Sequence, residues 1–122
     1  MSLKNLAVET WSYSFGKGSG SVSVTNQPSN KVKCDGKKAF FNSIIISISG
    51  YTGQGITGGS GAGAIMGGAQ HTKIEGMPAV LEGDESQPIL ITGTSTVYPY
   101  NPMSVSDTVK VANAGQSKVK GS

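Results

Sequence analysis

No arginine occurs among the 122 residues, so all ten basic side chains are lysine. Readers of base sequence lean on the bidentate arginine fork, and its absence counts against sequence-specific DNA binding. A single cysteine, Cys34, excludes an internal disulfide. A single histidine, His71, leaves few ways to assemble a metal centre or a nucleophile–base pair. Charged residues make up 14% of the chain and apolar residues 36%, both low for a globular domain. The low charge argues against a solvated disordered chain, which needs high net charge. The longest apolar stretch, Ile44 to Ile48, is broken by Ser47 and falls far short of the ~20 residues that cross a bilayer as a helix. Met1 to Val8 has no long apolar run and leads to Glu9, so no secretory signal is expected and assembly in the cytoplasm is.

Glycine (18 residues), serine, threonine and β-branched residues fill the space that charge leaves, a composition of tightly turned β-structure. The length suits one domain, residues 1–122. Residues 1–29 read as N-terminal strands, 30–100 as the core, and 101–122 as a last strand and a small polar tail. Trp11, Tyr13 and Phe15 alternate with polar residues, which places three aromatics on one face of a strand. That face suits either core packing or contact with a partner. Ser21 to Thr25 alternates again, and Ile44 to Ser49 is a buried strand by composition. Ile89–Ile91 and Thr94–Val97 read as two strands split by Gly93. Tyr98-Pro99-Tyr100 reads as extended and exposed, a second partner-contact candidate. No window has the periodicity of an amphipathic helix.

Lysines lie along much of the chain, at 4, 17, 73, 110, 118 and 120, with one cluster at Lys31, Lys33, Lys37 and Lys38. A solvated β edge, where lysine blunts edge-to-edge aggregation, explains the cluster better than a phosphate site. No nucleic-acid partner is expected. Gly50 to Gly68 holds nine glycines in 19 residues and no charge. It reads either as a flexible linker or as an ordered crossing where Cβ atoms would clash, and the second reading is preferred. Within it Gly53-Gln54-Gly55-Ile56-Thr57-Gly58 matches the dinucleotide pattern G-x-G-x-x-G. The glycines that follow exclude the helix whose N-terminus would hold a pyrophosphate, and no G-K-[ST] is present. Cys34 and His71 are the only candidates for a catalytic pair or a metal site. Nothing in their spacing brings them together, so no catalytic residue is assigned.

One pattern occurs twice. Lys33-Cys34-Asp35-Gly36-Lys37-Lys38-Ala39-Phe40 and Lys73-Ile74-Glu75-Gly76-Met77-Pro78-Ala79-Val80 share Lys, acid, Gly, Ala and an apolar end, 40 positions apart. Asp35-Gly36 is a hairpin signal, and a repeated strand–turn–strand unit points to a built scaffold rather than a catalytic cleft.

The second copy, continued as Gly76-Met77-Pro78-Ala79-Val80-Leu81-Glu82-Gly83-Asp84, resembles the signature of PAAR-repeat proteins. Gly76, Pro78, Ala79, Gly83 and Asp84 fit that signature, while Val80 and Leu81 replace its Ala and Arg. Gly36 and Ala39 keep a degenerate form in the first copy, and the resemblance covers roughly residues 30–100. It implies an all-β cone of short strands with pseudo-threefold character. In that family the cone caps the trimeric β-helical spike of a contractile injection system: a type VI secretion system, a phage tail or an extracellular particle. The implied role is structural and non-enzymatic, a spike tip that helps pierce a target envelope. The implied partner is the trimeric spike, with an effector as an additional cargo. The particle would be assembled in the cytoplasm and then delivered outward. Family members often hold one zinc or iron ion near the tip through three His and one Cys. Here only Cys34 and His71 are available, so either the ion is absent, which is the expectation, or Asp, Glu or water fills the missing positions around a single zinc or iron. Three related units would complete the symmetry; two are clear, and Val105 to Val119 is a weak third. The rival reading is a small β-sandwich binding module, an adhesin or carbohydrate-binding domain.

Overall fold

The computed structural model describes residues 3–122. Their regular structure is entirely β: β1 Lys4–Asn5, β2 Ser12–Phe15, β3 Ser19–Val24, β4 Lys33–Cys34, β5 Lys37–Lys38, β6 Ser43–Gly53, β7 Ile56–Met66, β8 Lys73–Ile74, β9 Met77–Pro78, β10 Ile89–Ser95, β11 Pro102–Asp107, β12 Val109–Asn113 and β13 Lys120–Gly121. Glycine and β-branched residues both disfavour the helix, and no apolar stripe of helical period offsets that preference. All the ladders are antiparallel.

The long strands form a five-stranded sheet in the order β11-β10-β7-β6-β3, and β12 pairs with β2. Alternation along β6 sends Ile44, Ile46 and Ile48 inward and leaves Ile45 and Ser49 exposed. Those isoleucines pack with Tyr51, Ile56, Ile65, Ile89, Ile91, Val109 and Val111 in the main core. At roughly 25 cal/mol per Å², each fully buried Ile contributes about 2 kcal/mol. Since β11 passes into β12 through Thr108 alone, the strand order runs round an axis: β3, β6, β7, β10, β11, β12, β2. No ladder joins β2 to β3, so no barrel closes. The Tyr13 hydroxyl bridges that gap, donating to the Gly20 carbonyl and accepting from the Val22 amide, each at 3.3 Å. An edge-to-face row of Trp11, Tyr13, Phe15 and Tyr51 lies along it, with ring centroids 5.4–6.1 Å apart.

Three short hairpins stand at one end of the long strands. β4–β5 turns at Asp35-Gly36 (φ 55° and 77°) and β8–β9 at Glu75-Gly76 (φ 52° and 82°), the paired positive φ values of a tight type I′ connection. The third hairpin joins opposite ends of the chain, with Lys4 opposite Gly121 and Asn5 opposite Lys120. Superposing the registers makes Lys33, Lys73 and Lys120 equivalent, and likewise Ala39, Ala79 and Leu6. The hydrogen bonds repeat under this equivalence. Ala39 N–H donates to Val32 O, Ala79 N–H to Thr72 O, and Leu6 N–H to Val119 O. One residue further on, a ring closes: Ala7 N–H to Val80 O (2.8 Å), Val80 N–H to Phe40 O (3.5 Å), and Phe40 N–H to Ala7 O (3.0 Å). Outside it the bridges Leu6–Leu81, Val8–Ala39 and Phe41–Ala79, and the bonds Glu9 to Lys38, Asn42 to Pro78 and Glu82 to Asn5, likewise occur once per unit, the bonds running in the opposite donor sense to the ring. The chain is pseudo-threefold about this ring.

Four expectations are corrected. The third unit is not Val105 to Val119; it is Val119–Gly121 joined to Lys4–Val8. The stretch 112–122 is no free tail, because Gln116 and Gly121 are buried. Gln116 donates to Leu6 O and accepts from the Lys118 and Val119 amides. Ile89 to Ser95 is one strand that passes through Gly93, where its register against β7 shifts in a bulge. The Gly50–Gly68 segment is ordered as expected, but most of it lies in the long-strand layer as the end of β6 and all of β7.

Candidate functional site

Each short hairpin leads through the ring into a long excursion that returns to it. β6 leaves after Asn42, and β7 comes back at Gly67, whose amide donates to Asn42 O (2.7 Å). Eleven strand residues span about 35 Å, so the molecule presents two separate ends: the three hairpins, and the loops of the long strands.

At the hairpin end a small second core holds Leu6, Val8, Cys34, Ala39, Ala69, Ile74, Ala79 and Leu81, with Val32 and Phe41 against it. Cys34 and Ile74 occupy equivalent positions there, and Gly121 is the third. The Cys34 thiol is buried, and burial pushes its pKa up, away from the reactive thiolate. His71 is exposed, and its backbone amide donates to Ser122 O (2.7 Å). The two stand at different positions of different hairpins. Among the described residues no group of three or more His, Cys, Asp or Glu is placed to hold a metal.

The motif residues act on the backbone. Gly36 and Gly76 supply turn positions, and Ala39 and Ala79 are fully buried beside the ring. Pro78, whose missing N–H suits a short edge strand, offers its carbonyl to the Asn42 amide (2.7 Å). Gly83 has φ 93°, and the Asp84 carboxylate accepts from the amides of Gly68 and Leu81, both at 2.8 Å. The hairpins also interlock. The Ser29 hydroxyl donates to the Glu75 carboxylate (2.6 Å), Thr72 and His71 amides reach Ser122 O, and Lys118 pairs with Asp35 (3.3 Å). Each lead-in segment thereby grips the turn of the next hairpin.

At the other end Asp107 is the organising group. It is 3% exposed. Its carboxylate accepts the amides of Lys17 (3.0 and 3.1 Å), Gly18 (2.9 Å) and Thr108 (2.7 Å) and the Tyr51 hydroxyl (2.5 Å). Burial by itself would raise the Asp107 pKa; the hydrogen bonds from Tyr51, Thr108, Lys17 and Gly18 outweigh it and hold the carboxyl below its usual range. Burial first, then the Asp107 hydrogen bond, pushes Tyr51 up. The adjoining hollow of about 160 Å³ beside Lys17, Pro88, Ser106 and Asp107 is small and lacks a nucleophile–base pair.

Beyond the β6–β7 turn, where Thr96 N–H meets Gly55 O, the β10–β11 loop carries Val97, Tyr98 and Tyr100. These are 70%, 80% and 65% exposed, and the two tyrosines stack edge-to-face at 5.9 Å. The Tyr98–Pro99 peptide is cis, and residues 96–99 are bends rather than the extended segment expected. Trp11, Tyr13 and Phe15, the other contact candidates, are half-buried against the main core. Packing and the β2–β3 gap account for them.

The lysines, spread along the sequence, gather in the fold. Lys4, Lys31, Lys33, Lys37, Lys38, Lys73, Lys118 and Lys120 all lie on the three hairpins or their lead-ins. Sequence reasoning missed this convergence, although the repeat itself carried a signal in Lys33 and Lys73. Comparison with family models, with curated proteins and with solved structures yields no match for this chain.

Proposed function

We propose that this protein is the non-enzymatic tip of a contractile injection apparatus, seated singly on a trimeric β-helical spike. The observation that carries the reading is the hydrogen-bonded ring of Ala7, Phe40 and Val80. It gives one chain three related faces, and a single copy with three related faces can meet all three subunits of a threefold partner through similar contacts. The long-strand end docks, and the hairpin end leads into the target envelope. Interlocked hairpins and antiparallel ladders through the whole fold suit a part that transmits force, and no chemical step is assigned to it.

The exposed Val97, Tyr98 and Tyr100 provide the apolar and aromatic anchors of the docking face. The test is co-purification with a trimeric β-helical spike protein from the same source, followed by cryo-electron microscopy of the complex. One copy per trimer is expected, with the Tyr98–Tyr100 loop at the interface. The double variant Tyr98→Ser/Tyr100→Ser should weaken the complex by roughly tenfold or more without changing the thermal midpoint. A stable monomer without affinity for any such spike overturns the reading.

A further inference from the structure

The three hairpins and their lead-ins carry eight lysines and two carboxylates, Asp35 and Glu75; the rest of the chain carries two lysines and five carboxylates. The formal charge is therefore +6 over those segments and −3 over the remainder, within a net charge of +3; of the remainder, the Glu9 carboxylate lies against the hairpin end, where it accepts the Lys38 amide at 2.7 Å. Six of the eight, Lys4, Lys31, Lys33, Lys73, Lys118 and Lys120, are exposed. Lys118–Asp35 is the one ion pair among the described residues, and the Glu75 carboxylate is turned back onto the Ser29 hydroxyl. Lys33, Lys73 and Lys120 stand at equivalent positions round the pseudo-threefold axis.

Apolar side chains are exposed among them: Leu3 at 59%, Met77 at 40% and Val119 at 37%. Met77 shares its hairpin position with Lys37 and Lys4. Exposed apolar residues interleaved with long, flexible cations are the composition of an interfacial membrane contact, in which the apolar groups enter the headgroup boundary and the lysines reach the phosphates. Nucleic-acid binding fits less well. The same segments have no arginine, and the nearest aromatics, Phe40 and Phe41, are packed against the two cores rather than presented as platforms for base stacking.

We infer that the short-hairpin end is a docking surface for an anionic lipid bilayer, bound through the Lys33/Lys73/Lys120 triangle and its neighbouring lysines, with Leu3 and Met77 entering the headgroup layer. This deepens the spike-tip reading by naming what the leading end touches, and rests on that reading only for which end leads.

Sedimentation of the full chain with phosphatidylcholine vesicles containing phosphatidylglycerol, against phosphatidylcholine alone, tests it. Binding is expected only to the anionic vesicles, and it should fall steeply as salt rises from about 0.1 M to about 1 M, where the Debye length shrinks to about 3 Å. At about fivefold per lysine, the variant Lys33→Gln/Lys73→Gln/Lys120→Gln should bind about 100-fold more weakly with an unchanged thermal midpoint. Met77→Ser should lower the binding that remains at high salt. No sedimentation with anionic vesicles, undiminished binding by the triple variant, or binding to single-stranded RNA but not to vesicles overturns the inference. Spike co-purification, run on the same triple variant, is expected to be unchanged. Absence of vesicle binding by the unaltered chain, with spike binding present, therefore counts against this inference alone, and vesicle binding without spike binding counts against the spike-tip reading alone.

Discussion

Asp107 shows how one side chain can hold three segments in place. A carboxylate buried without partners would cost several kcal/mol, yet this one accepts backbone amides from the β2–β3 loop and from Thr108, and the Tyr51 hydroxyl from β6. Asp107→Asn would turn an NH₂ group towards donors. It is expected to destabilise the fold by about 2–3 kcal/mol, since hydrogen bonds to charged groups are the stronger ones and buried donors are left unpaired. The carboxyl is held below its ordinary value of 3.8, so the fold favours the charged form. Its contribution is fully present above that value and is lost as pH falls through the lower, folded one. Thermal midpoints of the two proteins should therefore differ most near neutrality and converge in strong acid. A constant difference down to about pH 2 would contradict the role assigned to the charge.

At the scale of elements, β7 explains the glycine-rich stretch. It lies between β6 and β10, and its backbone passes close to β10. A Cβ on Gly61 would stand 2.6 Å from the Leu90 carbonyl oxygen, a backbone atom. On Gly63 it would meet the outer carbons of the Ile89 side chain at 2.7 Å, and a side chain can swing away. Gly61→Ala should therefore cost about 2–3 kcal/mol and Gly63→Ala about 1 kcal/mol, read from urea midpoints. Equal costs would mean that strand propensity, rather than close approach, sets the composition. The composition of this stretch was compatible with a flexible linker as well as with an ordered crossing, and its place was not legible, because a glycine selected for close approach leaves no trace of which neighbour approaches.

For the whole molecule, the decisive contact joins the two ends of the described chain. Leu6 bonds to Val119 and to the Gln116 side chain, and the amides of His71 and Thr72 bond to Ser122. Deleting residues 119–122 opens the third hairpin, removes the partner of Leu6 and frees the lead-in of the second hairpin. A loss of about 3 kcal/mol is expected from three or more net hydrogen bonds, or roughly 10 °C in the thermal midpoint. Amide exchange should rise at Leu6, His71 and Thr72, while Ile46 and Ile48 in β6 stay protected. Uniform exchange across the chain would show that the hairpin end and the long-strand core are a single cooperative unit. Closure of this kind pairs residues more than 100 positions apart, so folding should fall in the millisecond-to-second range of non-local β proteins, measurable by stopped-flow Trp11 fluorescence.

The sequence by itself determined the local features. Asp35-Gly36 declared one hairpin, because few dipeptides accept two positive φ values, and the repeat carried the same unit to Glu75-Gly76. The β-prone run Ile44–Ser49 declared a strand by composition, though not that Ile45 faces outward, and Trp11, Tyr13 and Phe15 declared one face, because these signals depend on near neighbours. Tertiary structure decided what depends on distant ones. In this chain one of the three units is split between residues 119–121 and 4–8, so the third hairpin has no contiguous motif to recognise. The same closure brings Lys4, Lys118 and Lys120 beside Lys33 and Lys73, and turns scattered charge into a single basic end. It also set the role of the aromatic row, which fills the gap between β2 and β3, because only the assembled ring of strands has such a gap.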